Sequence, residues 1–337
     1  MKRVNVWFNH WFSTAYHIIN LLKDDKEIQF HVIGTGSNPN SVVRTVCDEW
    51  FDEPTAETED GYVDASLAFC KAHDVQVFVP RHHQLAISRR IGEFHAIGVQ
   101  VLVGDAETIS ILQDKRAAYE LFDRLGIGIL PQYRVVTTRP EFEQAYQELA
   151  DQYEQVCMKF VADEGGKSYR LIVPSISGYE GLFRKQSTRM PYNKIIEALS
   201  EVESFPPLML MPYLPDEELS VDCLRTDSGI IMVPRIKYSG RLESIGYDEG
   251  ILATCQSFYD QIGIEGPCNI QFKYLHGIPY FLEVNTRMSG GVHMSCNAAG
   301  VNIPNIAVNR LLGIEKPWKI DRTVRRFSQV GYQIFLD

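Results

Sequence analysis

The stretch YFLEVNTRMSGG, residues 280–291, sets Glu283, Asn285 and Arg287 at alternate positions behind an aromatic and aliphatic run. Successive side chains of extended backbone point to opposite faces, so a carboxylate, an amide and a guanidinium would share one face if the strand runs on through them. Just upstream, GPCNIQFKYLHGIPYFLEVN reads as two strands joined at His276 and Gly277, which brings Gln271 opposite Glu283 and Asn285. Three hard oxygen donors then converge, a set suited to Mg²⁺ with water and phosphate in its remaining positions. Arg287 beside them is placed to hold an anion, and Ser289-Gly290-Gly291 lets backbone approach closely. The ordinary alternative is a half-solvated edge strand with its polar side in water.

Three more stretches place polar groups at strand ends. In CMKFVADEGGKSYRLIV, Lys159 interrupts a strand that turns through 163–168, and the turn's amides, at Gly165 and Gly166 above all, suit phosphates with Lys159 supplying charge. A plain hairpin with a solvated tip would look the same. In LMLMPYLPDEELSVDCL, Pro212 should end the strand and leave its own carbonyl and the Leu214 amide unpaired, walled by Met211, Tyr213 and Leu214. Such a donor and acceptor pair would read an adenine edge, and Glu218 four residues on would accept from a ribose; an exposed acidic loop is the other reading of Asp216 and Glu217. In VPRIKYSGR, Arg235 and Lys237 share a face and either receive a phosphate or carboxylate or form a solvated basic strand.

The elements that must position these groups change character along the chain. Residues 4–8, 28–34, 75–80 and 99–104 read as short apolar strands, with helices predicted over 14–25 and through AISRRIGEFHAIG, which implies a parallel sheet with helices on both faces to about residue 112. Arg81, His82 and His83 follow one of these strands at the carboxyl edge, where such sheets bind ligands, so they and His293 are candidates to face a substrate; surface histidines are the alternative. The first turn, NHWFSTA, lacks G-x-G-x-x-G, which disfavours a nicotinamide-dependent oxidoreductase. A helix over 114–125 follows, ended by Gly126, and from about residue 133 antiparallel strands and helices alternate, with SFPP at 204–207 as the best hinge.

The 337 residues allow two or three packed units, and the formal charge of -10 argues against nucleic acid as a partner. Seven dispersed cysteines without a C-x-x-C pair read as reduced thiols. With neither a signal peptide nor a long apolar stretch in view, the expectation is a soluble cytoplasmic protein away from membranes, with a homodimer as the default.

Taken in order, LQDKRAAYELFDRLGIGILP, MKFVADEGGKS, MPYLPDEELSVD, NIQF and FLEVNTRMSGG resemble the ATP-grasp superfamily, most closely the large subunit of carbamoyl-phosphate synthase and related carboxylate–amine ligases. The resemblance covers nearly the whole chain. It implies an α/β and α+β fold: a Rossmann-like pre-ATP-grasp domain at 1–112, a small lid subdomain at 113–207 and a large ATP-grasp subdomain at 208–337. It implies ATP and Mg²⁺ as cofactors, with Lys115 and Lys159 on the phosphates, 163–168 as the lid, Met211, Pro212, Tyr213 and Leu214 around adenine and Glu218 on ribose. Gln271, Glu283 and Asn285 would hold the metal, and Arg287, Lys159 and Arg235 would act in catalysis. Three positions depart from the pattern: Phe160 stands where a proline usually follows the lysine, Met211 where many relatives are acidic, and Gln271 where many have a carboxylate. The implied activity joins a small carboxylate, in one form an amino acid, to an amine through an acyl phosphate, releasing ADP and phosphate. The alternative is an ATP-binding sensor or accessory subunit without turnover.

Overall fold

The computed structural model describes residues 2–162, 166–179, 188–238, 241–331 and 333–336. Contacts divide the chain into two compact units, one of residues 1–112, 217–271 and 284–337 and the other of residues 113–216 and 272–283.

The first unit opens with β1 (Lys2–Asn9), α1 (Ala15–Lys23), β2 (Ile28–Thr35), β3 (Glu49–Phe51), α2 (Glu59–Ala72), β4 (Val77–Val79), α3 (Gln84–Arg89), α4 (Ile91–Ala96) and β5 (Gln100–Val101). These strands form one parallel sheet in the order β3-β2-β1-β4-β5, with Val6 of β1 opposite Val32 on one side and Val77 on the other. Strand β1 is apolar on both faces because helices cover both. Val4, Val6 and Phe8 join the core under α1, whereas Trp7 packs the other way and stacks on Phe78 at 4.0 Å. The strand order reverses between β1 and β4, and at the carboxyl end of that pair a doubly wound sheet opens a crevice. The single helix expected over AISRRIGEFHAIG is two, because Arg90 leaves the helical region at φ -114° and ψ 22° and spends its guanidinium on Asp64 and Glu93.

Helix α5 (Ala106–Gln113) leads into the second unit, which holds α6 (Lys115–Leu125), β6 (Arg134–Val136), α7 (Arg139–Ala150), β7 (Val156–Phe160), β8 (Arg170–Val173), β9 (Arg189–Pro191), α8 (Tyr192–Leu199) and β10 (Leu208–Pro212). Their sheet runs β6-β10-β7-β8-β9. Helices α7 and α8 bury Phe142, Leu149 and Ile195 with Val156, Ile172, Leu208 and Leu210 of one sheet face. The expected hinge at 204–207 is tied into this unit, since Phe205 packs on that core and its amide donates to Thr137.

Strands β11 (Glu218–Thr226), β12 (Gly229–Lys237) and β13 (Leu242–Ile245), helix α9 (Glu249–Ile262), the hairpin β14 (Cys268–Leu275) and β15 (Ile278–Asn285), helices α10 (Val292–Ala299) and α11 (Ile303–Leu311) and strand β16 (Arg325–Ser328) complete the fold. Six strands form a sheet in the order β15-β14-β11-β12-β13-β16, and the hairpin tip at 272–283 groups with the second unit. Within the first unit one core joins Val4, Ile18 and Leu22 to Leu224, Ile231, Val292 and Ile306. Polar bonds reinforce it: Asn302 donates to the Leu21 carbonyl at 2.7 Å, and Asn305 and Asn309 donate to Asp25. Among the described residues no helix is long and apolar enough to cross a membrane.

Candidate functional site: a lysine-bearing sheet face and a buried arginine network

In the second unit, Asp114 caps α6 by accepting from the Ala117 amide at 2.9 Å, which sets Lys115 at the first helical position. Its ammonium donates to the Val161 carbonyl at 3.4 Å, and its exposure is only 7 %. Lys159 on β7 is equally buried. The packing residues of β7 and β10 are Val156, Leu208 and Leu210, so Cys157, Lys159, Met209 and Met211 occupy the opposite face. Register confirms the grouping, with Met209 opposite Lys159 and Met211 opposite Cys157. The result is a sulfur-rich apolar wall with an ammonium at one end, and burial beside it pushes the Cys157 thiol up to about 11.

Strand β10 ends at Pro212, as its missing amide requires. The Pro212 carbonyl, expected to be unpaired, accepts a weak bond from the Cys157 thiol at 3.7 Å. The Tyr213 amide continues the ladder to Gln155 at 2.8 Å. Leu214 is buried and Tyr213 half-buried. Of the glycine turn, residues 163–165 and hence Gly165 lie outside the described residues; Gly166 is left-handed at φ 65°, and Ser168 accepts from the Phe160 amide at the turn's base. Glu283, also in this unit, follows a segment fixed to α6: the Tyr119 hydroxyl donates to the Leu282 carbonyl at 3.1 Å and Phe122 stacks on Phe281 at 4.1 Å.

Gln271, Asn285, Arg287, Glu218 and Arg235 belong to the first unit. Strand β15 stops at Asn285, so Arg287 lies beyond it, yet the alternation persists: Val284, Thr286 and Met288 are buried while Asn285 and Arg287 are half-buried. Glu218 accepts from Lys237, its register partner across β11 and β12.

Arg235 is the centre of a network that the sequence did not disclose. It is 2 % exposed, donates to Glu243 at 2.6 Å and to Ser295 at 3.4 Å, and faces Asp222 at 3.7 Å. Ser295 donates to Asp222 at 2.6 Å, Asn269 donates to the other Asp222 oxygen at 2.8 Å, and Gln271 donates to Asn269 at 3.0 Å. The Gln271 amide nitrogen is thereby used inward, which turns its carbonyl oxygen the other way. Arg235, expected to touch substrate, is instead enclosed by these partners and by Gly291, so its geometry is that of a positioning residue behind the Ser-Gly-Gly turn.

The expectation at the carboxyl edge of the parallel sheet involves more residues than Arg81, His82 and His83. The Arg81 guanidinium lies over the Phe12 ring at 5.4 Å from its centroid, and Arg287 lies over the same ring at 5.7 Å. His10 and His83 adopt left-handed backbone at φ 43° and 53°, and the His82 ring packs on His10 at 4.3 Å. His293 is 7 % exposed and stacks on His17 at 4.2 Å and 15°. Burial first, then His17 and Arg235, hold the His293 imidazole down to about 4. Phe12 and His17 carry no sequence signal of their own; only their place just after β1 points to them.

A family model described as "ATP-grasp in the biosynthetic pathway with Ter operon" matches residues 204–330. The carbamoyl phosphate synthase large chain of Thermoplasma acidophilum is 23 % identical over 302 residues, covering 86 % of this chain, and the chain spans 28 % of that protein's length. Among solved structures, the biotin carboxylase domain dimer of the Hydrogenobacter thermophilus 2-oxoglutarate carboxylase, in complex with MgADP, ADP and bicarbonate, has a TM-score of 0.67 at 15 % identity, over 94 % of this chain and 71 % of that one. The L-amino acid ligase of Bacillus licheniformis gives a TM-score of 0.63 at 13 % identity, over 92 % of this chain and 75 % of its own. The fold, the ordered motifs and these likenesses agree: the chain resembles ATP-grasp ligases, and its residues 204–330 match an ATP-grasp family model.

Proposed function

We propose that the protein is a Mg²⁺- and ATP-dependent ligase that joins a small carboxylate, an amino acid in one form, to an amine by way of an acyl phosphate, releasing ADP and phosphate. The observation that carries this reading is the β7 and β10 face, where buried methionines and a cysteine line up with Lys159. A polarizable apolar wall suits the flat face of a base, and an ammonium at its end suits phosphate. Met211, Pro212, Tyr213 and Leu214 would hold the base, Glu218 the ribose, and Lys115, Lys159 and the turn with Gly165 and Gly166 the phosphates.

The donor set fits Mg²⁺ on one condition. Gln271, Glu283 and Asn285 offer only hard oxygens but a single negative charge, and among the described residues no group of three or more His, Cys, Asp or Glu gathers for a metal. Such a set holds the ion in company with phosphate oxygens rather than alone. Bound ATP supplies the phosphoryl group that activates the carboxylate. The chain's own part is to bind and orient: Lys115 and Lys159 offset phosphate charge, Arg287 holds the anion undergoing transfer, and Arg235 braces the turn that carries it. A cytoplasmic location and a homodimer belong to the same proposal, supported by seven free cysteines and by the dimer formed by the biotin carboxylase relative.

The test is ADP release from Mg-ATP with and without pooled amino acids, other small carboxylates and amines, with Glu283→Gln as the blank. A pool that raises release above the blank supports the ligase, and subdividing it identifies the substrates. ATP that raises the melting temperature while no pool stimulates release moves the assignment to an ATP-binding sensor or accessory subunit.

A further inference from the structure

The β7 and β10 face of the second unit is bordered by hydrogen-bond donors. Its wall is Met209, Met211 and Cys157, and a thioether or thiol accepts only weakly. Strand β8 adds to the same face: Cys157 pairs with Leu171 and Met158 with Arg170, and one further step of that register sets Tyr169 opposite Lys159. The Tyr169 hydroxyl bonds to the Cys157 sulfur. Burial first, then Cys157 and Tyr213, raise the pKa of that hydroxyl, so it keeps its proton. Cations reach the same thiol, since Lys159 and Lys273 both oppose the upward push of burial on it.

Lys273 comes from β14, in the hairpin tip that groups with this unit. An ammonium carries three donors, and one of them meets the Asp216 carbonyl at 3.0 Å. Acceptors around the end of β10 are engaged within the protein. The Pro212 carbonyl takes the Cys157 thiol at 3.7 Å, the Gln155 carbonyl takes the Tyr213 amide at 2.8 Å, and the Asp216 carboxylate takes the His276 amide at 2.8 Å. Among the described residues, the border of this wall is therefore weighted towards donors, an ammonium and a protonated hydroxyl.

Purine bases differ in what they offer such a border. Adenine presents an amino group at C6, a donor, whereas hypoxanthine and guanine present a carbonyl oxygen there; N7 accepts in all three. Donors pair with O6 and N7 together, as lysine does with guanine, but stand donor against donor at the amino group of adenine. We propose that this nucleotide site takes 6-oxopurine nucleotides, those of inosine and guanosine, as well as adenine nucleotides, with Lys273 and Tyr169 setting the choice of base. The inference deepens the ligase reading and rests on it for the assignment of this face to a nucleotide. Inosine isolates the cause, since its base has O6 but lacks the 2-amino group of guanine.

The test measures dissociation constants of the full chain for Mg-ADP, Mg-IDP and Mg-GDP, with the melting temperature in each as a second readout. Mg-IDP and Mg-GDP are expected to bind within about 10-fold of Mg-ADP, closer than a site matched to the adenine edge would allow. Lys273→Met, which keeps the apolar stem and removes the donors, lowers the IDP and GDP affinities by roughly 10-fold relative to ADP. Tyr169→Phe shifts the ratio in the same direction and serves in its place if Lys273→Met loses its far-ultraviolet dichroism. The proposal is overturned if Mg-ADP binds the wild type more than about 10-fold tighter than both other nucleotides, or if neither variant moves the ratio. Protection of the wild type by Mg-ADP alone overturns the choice of base and leaves the nucleotide assignment standing. Protection by none of the three is the separate signature of a failed ligase reading, and this inference falls with it.

Discussion

A β-carbon on Gly291 would meet the guanidinium of Arg235, with Nη1 at 2.8 Å. The second glycine of Ser-Gly-Gly is therefore required by a neighbour distant in sequence, since its own φ of -99° is open to any residue. The guanidinium cannot retreat, because Glu243, Asp222 and Ser295 hold it from other sides.

Gly291→Ala is accordingly expected to cost about 1–3 kcal/mol, the range for forcing a methyl into a packed interior. Arg235→Ala removes the clash but strands two carboxylates, Asp222 at 1 % exposure and Glu243 at its side, and the loss of one partner from a buried ion pair costs about 3–5 kcal/mol. Denaturant midpoints should rank wild type above Gly291→Ala above Arg235→Ala. A Gly291→Ala penalty that disappears when the substitution is made in an Arg235→Met background would show that the clash is the cause.

Much of this arrangement was legible beforehand because it depends on period and on backbone chemistry. Pro212 ends β10 since it lacks an amide, and Trp7 and Val6 pack to opposite sides since β1 alternates. The lysine and hairpin stretches could be found because polar groups interrupt apolar strands. What was not legible arises from tertiary contact. Nothing local marks Asp222, Asn269 or Ser295 as partners of Arg235, and an arginine on a strand end reads as solvated until the enclosing carboxylates are seen. Phe12 likewise gains its meaning only from Arg81 and Arg287, which arrive from 69 residues and more along the chain.

Asp25 offers a separate test of the first unit's cohesion. Its carboxylate accepts from the Glu27 and Ile28 amides at 2.8 and 2.9 Å and from Asn305 and Asn309 at 2.9 and 3.0 Å, with Lys316 at 3.2 Å. Burial alone would raise its pKa, but these donors outweigh it and hold the group well below the usual carboxylate range. A depressed folded-state pKa means stability present above the unfolded value of 3.8 and lost as the pH falls below it. Asp25→Ala should cost about 3 kcal/mol near neutrality and flatten the acid limb of the stability curve. An unchanged acid limb would refute the assignment.

Lys159→Met separates ligand binding from folding. Methionine continues the apolar face made by Cys157, Met209 and Met211 and spares the cost of burying an ammonium. Melting temperature should therefore change little, whereas Mg-ADP affinity falls by roughly 10- to 100-fold for the loss of one charge-assisted bond. Equal loss of stability and affinity would make Lys159 a structural residue.

His293 gives the pH prediction. Burial is the main cause of its low pKa, His17 and Arg235 add to it, and the Gly290 carbonyl and Asp222 oppose it, leaving a folded-state value of about 4 against 6.5 for an ordinary histidine. Between those limits the unfolded chain binds a proton that the folded chain does not, so stability rises with pH through the window and falls as pH drops from 6.5 towards 4. The full effect is on the order of 2–3 kcal/mol. His17 is shifted in the same direction by burial, so the two rings of the stack resist protonation together. Melting temperatures of the wild type and of His293→Gln across that interval measure the contribution directly. The wild type should lose stability more steeply on acidification, and parallel curves would show that the stacked imidazole is not held neutral by the fold.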